Sequence, residues 1–151
     1  MDPVLFAIVC SLIAIAFAAW LIFRIYKYPS GDGLTAEVAK AIQIGAKAYL
    51  SRQYMTIGVV AVVVAALVGY FMNLTTMAGF IVGAVASGLA GYIGMSVSVR
   101  ANVRTTEAAK KGISQAFKVA FQGGSVTGLL VVGLALLSVA GFYAVTKDIM
   151  A

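Results

Sequence analysis

The side chains that could do acid, base or metal chemistry are few and scattered. The acids are Asp2, Asp32, Glu37, Glu107 and Asp148, there is no histidine, and Cys10 is the single cysteine. A divalent cation such as Mg²⁺ needs several carboxylate oxygens gathered at one point, and nucleophilic catalysis of the triad kind needs a base beside the nucleophile. Neither pattern is present, so no catalytic residue and no metal ligand is assigned. Gly123-Gly124 lacks the Gly-Lys-Ser/Thr ending of a phosphate-binding loop. Cys10 lies in an apolar run and reads as a small buried side chain. What remains is basic. Arg100 and Arg104, with Asn102 between them, are weak electrostatic candidates for drawing an anion towards a surface, although anchoring is the commoner role of such residues at the edge of an apolar run. Tyr49, Arg52 and Tyr54 read the same way, as interfacial anchors.

The elements that must position these residues are membrane helices. With 62% hydrophobic and 11% charged residues and a mean hydropathy of +1.02, the chain is far from the roughly 25% charged residues of a soluble domain. The fold class is all-α integral membrane, with four spans over about 3–23, 55–72, 78–99 and 119–146. Tyr28 to Gly33, YPSGDG, breaks the chain after the first span. Residues 35–54 read as an amphipathic helix, with Thr35 as a cap and Glu37 in its first turn, running without a breaker into the second span. Gln53 to Val99 is uncharged over forty-seven residues, too long for one crossing, and Asn73-Leu74-Thr75-Thr76 supplies the short turn between two.

In the third span Gly79, Gly83, Ser87 and Gly91 recur every four residues, with Ala86, Ala90 and Gly94 as a second small row, and Gly124 and Gly128 form a similar pair in the fourth. Small residues at this spacing let membrane helices approach closely, so the first row and the pair are expected to be packing positions. Ten of the eleven basic residues fall in 24–52 and 100–118, on one side of the membrane. The positive-inside bias makes these segments basic cytoplasmic loops and puts both ends of the chain outside. The net charge of +6 is spread between spans rather than over one folded face, which speaks against nucleic acid. Proton-carrying rotor subunits and small drug antiporters need a carboxylate inside a span, and none of the acids lies in one. A four-helix membrane scaffold or assembly subunit without catalysis fits the composition.

Three stretches add to this reading: GAKAYLSRQYMTIG (45–58), GLAGYIGMSVSVRANVRTTEAA (88–109) and AFQGGSVTGLLVVGLALL (120–137). They resemble the amino-terminal part of membrane-bound pyrophosphatases, in matching order over nearly the whole chain. The resemblance implies a homodimeric pump of about sixteen helices per subunit, hydrolysing cytoplasmic pyrophosphate with Mg²⁺ and exporting H⁺ or Na⁺. It places the first four helices in an outer ring and the substrate, metals and ion path on helices further along. The aspartate-rich motifs of that family match no position here. The resemblance therefore implies an amino-terminal scaffold fragment, partnered by lipid and by the rest of its own polypeptide, and inactive alone.

Overall fold

The computed structural model describes residues 2–147 and contains four α-helices: α1 (Pro3–Tyr26), α2 (Gly33–Phe71), α3 (Leu74–Ala109) and α4 (Ile113–Thr146). Each is long and apolar enough to cross a membrane. The expectations for Asp148 and the carboxyl end lie outside the described residues.

Local sequence explains where the helices start and stop. Asp2 caps α1, its carboxylate accepting a hydrogen bond from the Val4 N–H at 3.0 Å, and Pro3 takes the first helical position, where a missing N–H costs nothing. Asn73 caps α3 through a 2.7 Å bond from the Thr76 N–H, so the expected turn is also a helix start. The helix expected from Thr35 begins earlier, at Gly33 after Asp32, which leaves Thr35 and Glu37 inside α2. It then runs unbroken into the second span, as the absence of a breaker predicts. No Gly or Pro occurs from Met95 to Lys111, and α3 accordingly continues past Arg100 and Arg104 to Ala109. The basic segments, expected as loops, are thus mainly helical extensions joined by short connectors. At ~1.5 Å per residue α2, α3 and α4 are about 50–60 Å long, some 20 Å more than the ~30 Å hydrocarbon layer. Gly112, at φ +124°, makes the turn into α4.

In space the helices form a row, α1–α4–α3–α2, rather than a closed bundle. α4 packs on α1 and α3, α2 packs on α3, and α1 meets α3 only slightly. The core holds Ala18, Leu21 and Ile25 of α1, Ala90, Val97 and Ala101 of α3, and Val126 and Leu130 of α4. α2 adds nothing to it, and Met55, Val59, Val62 and Tyr70 stand open along its apolar half.

Of the expected packing positions, Gly83, Ser87, Gly124 and Gly128 do not carry these contacts, whereas Gly91 faces Tyr54 of α2. A Cβ on Gly83, Gly124 or Gly128 would meet no atom within 4 Å, and Ser87 is exposed. Packing of α3 on α4 and α1 follows the second row, Ala86, Ala90 and Gly94, continued by Val97 and Ala101. A Cβ on Gly94 would lie 2.9 Å from Thr127, one on Gly123 2.9 Å from the Ala101 Cβ, and one on Gly133 2.9 Å from Ile15 and 3.2 Å from the Ser11 carbonyl. Close approach is needed where the partner helix presents a side chain or backbone, and in this row Gly94, Gly123 and Gly133 face one. Ser11 is buried against this seam, its hydroxyl donating to the Ile8 carbonyl at 2.7 Å.

Candidate functional site

The polar end of the row is built by the extensions of α2 and α3, the end of α1 and the start of α4. Arg100 and Arg104 sit one turn apart on α3 but do different things. Arg104 leans on α1: its guanidinium lies 5.3 Å from the centre of the Tyr26 ring, and its Nη1 donates to the Arg100 carbonyl at 2.7 Å. Burial pushes the Arg104 guanidinium below its ordinary pKa, opposed by Tyr26 and reinforced by Arg100. Its Nε is buried without a hydrogen-bond partner. Arg104 is therefore a clasp between α3 and α1. Arg100 stays exposed, its Nη1 donating to the Ser96 carbonyl at 3.0 Å, and lines a cleft between α3 and α2. The structure separates the two arginines that the sequence pairs. Asn102 is exposed and lines grooves on either side of α3.

Tyr49 and Arg52 are exposed on α2, whereas Tyr54 reaches across to α3. Its hydroxyl donates to the Gly88 carbonyl at 2.7 Å and its ring meets Tyr92 edge-on at 5.7 Å. A Cβ on Gly91 would fall 2.8 Å from that hydroxyl. One member of the expected ladder thus makes room for a tyrosine from the neighbouring helix. Sequence reasoning treats Tyr54 as an interfacial anchor and misses this clasp; the available signal is an aromatic on α2 opposite two glycines three residues apart on α3.

Glu107 is also absorbed by structure. It pairs with Lys110 at 2.8 Å, and that hydrogen bond holds the Lys110 ammonium above its ordinary pKa. Its carboxylate packs on the α1–α2 connector at Gly31, where a Cβ would lie 2.7 Å from Oε1; with φ at +78° only glycine fits there without strain. Among the described residues no three His, Cys, Asp or Glu side chains come together. The donor set present does not suit Mg²⁺, which takes oxygen ligands in a near-octahedral shell. The chemistry open to this end is electrostatic attraction and helix positioning.

Comparison with known proteins places this arrangement. The family model for inorganic H⁺ pyrophosphatase matches residues 12–151. The chain belongs to that family. A K⁺-insensitive pyrophosphate-energized proton pump from Methanosarcina mazei is 48% identical over 140 residues, which cover 91% of this chain and 21% of that protein. A second such proton pump, from Moorella thermoacetica, is 42% identical over 89% of this chain and 20% of its own length. A K⁺-stimulated pyrophosphate-energized sodium pump from Thermotoga maritima is 42% identical over 87% of this chain and 18% of its own. The chain spans about a fifth of the length of these pyrophosphatase relatives. Equal identity to a proton pump and a sodium pump means that overall likeness in this stretch does not distinguish the two cations.

Proposed function

We propose that this chain is the amino-terminal membrane scaffold of a pyrophosphate-energised pump that exports H⁺ or Na⁺. The observation that carries the reading is the match over about nine-tenths of this chain to pumps of which it covers about a fifth. Hydrolysis of pyrophosphate, its Mg²⁺ ions and the ion path belong in this reading to the remaining polypeptide, because the described acids here cluster nowhere. The whole protein is a homodimer. Arg100 and Arg104 contribute at most long-range attraction for the anionic substrate, screened over ~8–10 Å at physiological salt. Gly79, Gly83, Ser87, Gly124 and Gly128 remain packing positions in this reading, but for helices of the remaining polypeptide, and Gly83, Gly124 and Gly128 have open space over them within this chain; Gly91 is a packing position for Tyr54 of α2.

The test is hydrolysis and transport. The full-length protein is expected to hydrolyse pyrophosphate with Mg²⁺ and to drive H⁺ or Na⁺ across vesicle membranes, and residues 1–151 alone to do neither. Hydrolysis by the 151 residues, or a full-length protein with no pyrophosphate-dependent activity, would overturn the reading; the latter result favours an assembly subunit.

The orientation we propose is basic extensions in the cytoplasm and the Asn73 turn outside, supported by the ten-to-one placement of basic residues. Single cysteines at Thr75 and Ala109, in a Cys10→Ala background, should react with an impermeant thiol reagent from opposite faces of sealed cells. Labelling of Ala109→Cys from outside would reverse the assignment.

A further inference from the structure

Between α2 and α3 lies a cleft of about 370 Å³ whose rim carries Lys40, Lys47 and Arg100 and whose apolar lining includes Leu50, Tyr92 and Val99. None of the three cations has an ion-pair partner among the described residues, and no acid is among the residues lining the cleft. Lys40 and Lys47 are two helical turns apart on α2, so the rim extends ~10 Å along the helix. Its level relative to the bilayer follows from charge: the uncharged stretch 53–99 begins just after Arg52 and ends just before Arg100. Arg100 stands just beyond the hydrocarbon edge and Lys47 ~8 Å beyond it, at the level of lipid headgroups, with Lys40 a further ~10 Å out, and Tyr92 lines the side nearer the hydrocarbon. Leu50 and Val99 are buried between the helices at 7% and 9% exposure and form a dry floor.

We propose that this cleft binds one anionic glycerophospholipid, its phosphodiester held by Lys47 and Arg100 with the long Lys40 side chain adding positive charge from the outer rim, and the top of one acyl chain laid over Leu50 and Tyr92. The lining matches an amphiphile: cations at one end and apolar surface at the other. A free inorganic anion would leave the apolar half uncovered. A protein helix seated there would have to bring carboxylates or bury cations without partners, which is costly. The bound lipid would bridge α2 to α3 immediately beyond the Tyr54 clasp, whose Tyr92 also lines the cleft. The proposal requires that the chain lies in a membrane and that the remaining polypeptide leaves this cleft open to lipid, and it is independent of pyrophosphate chemistry.

The experiment uses the full-length protein, stripped of lipid in a neutral detergent and titrated with phosphatidylglycerol in mixed micelles, with retained lipid counted by native mass spectrometry. Basic residues near a membrane surface contribute about fivefold each to anionic-lipid binding. Lys40→Gln/Lys47→Gln/Arg100→Gln should therefore weaken retention by tenfold or more. Lys27→Gln/Lys110→Gln/Lys111→Gln, which removes the same charge outside the cleft, should weaken it at least fivefold less than the cleft triple does. Lys40→Arg/Lys47→Arg/Arg100→Lys should retain the lipid, and phosphatidylcholine should not compete. If the cleft triple fails to fold, Arg100→Gln alone, with an expected loss of about fivefold, carries the test. Equal retention by the cleft and control triples overturns the proposal. So does displacement of the lipid by Mg²⁺-free pyrophosphate with the same dependence on the cleft residues, which would assign the cleft to a free anion.

Discussion

Gly133→Leu is expected to unfold the α1–α4 seam, costing about 3 kcal/mol. The Cβ alone would lie 2.9 Å from Ile15 and 3.2 Å from the Ser11 carbonyl oxygen, and 3.4 Å from the Ala14 Cβ. Side-chain ends can rotate away, but the Ser11 carbonyl belongs to a helix backbone and moves only if α1 moves. That places the change at the upper end of the ~1–3 kcal/mol usual for overpacking. The neighbouring Val132→Leu, at a position 62% exposed, should stay within ~0.5 kcal/mol. Denaturant titration of the full-length protein in mixed micelles measures both. Similar losses for the two variants would mean that Gly133 faces no close partner.

The second large effect is a change of sign. Gly91→Ala should destabilise the protein by ~1–2 kcal/mol, because the new methyl would lie 2.8 Å from the Tyr54 hydroxyl and prise it from the Gly88 carbonyl. In a Tyr54→Ala background that obstacle is gone. The same Gly91→Ala change should then stabilise by up to ~1 kcal/mol, the ordinary advantage of Ala over Gly in a helix. The cycle thus yields a coupling of about 2 kcal/mol, within the range for residues in contact. Tyr54→Phe keeps the ring and should cost only ~0.6–1.7 kcal/mol, as for single hydrogen bonds between membrane helices. If Gly91→Ala has the same sign in both backgrounds, the tyrosine does not occupy the space over Gly91.

Helix number and the turns were legible from the sequence because each rests on a local cause: the uncharged lengths, the YPSGDG breaker, and Asn73 between two apolar runs. The unbroken α2 follows equally from the lack of Gly-Pro punctuation between its amphipathic and apolar halves. The continuation of α3 through its arginines was missed because the charge density of that stretch reads as a loop, although the lack of Gly and Pro from Met95 to Lys111 favours helix. The packing face was not legible. Two small-residue rows share one four-residue spacing on α3, and only the partner decides between them: Thr127 sits over Gly94, while nothing sits over Gly83. The roles of Arg100 and Arg104 were hidden for the same reason, since Tyr26 approaches one of them from α1, far away in sequence.

The order of helices in space, α1–α4–α3–α2, has a consequence for biosynthesis. α2 and α3 are neighbours both in sequence and in space and can pair as a hairpin as soon as they leave the ribosome. α1 is made first, yet its main partner is α4, made last of the four. At ~5–20 residues per second the interval is on the order of ten seconds. Throughout it, the face of α1 that carries Ser11, Ala18 and Ile25 must be sheltered by lipid or by the insertion machinery. A nascent chain stalled before Ile113 would thus hold a paired α2–α3 and a first helix tied to it only through the Arg104–Tyr26 contact, with its main packing face still unmatched.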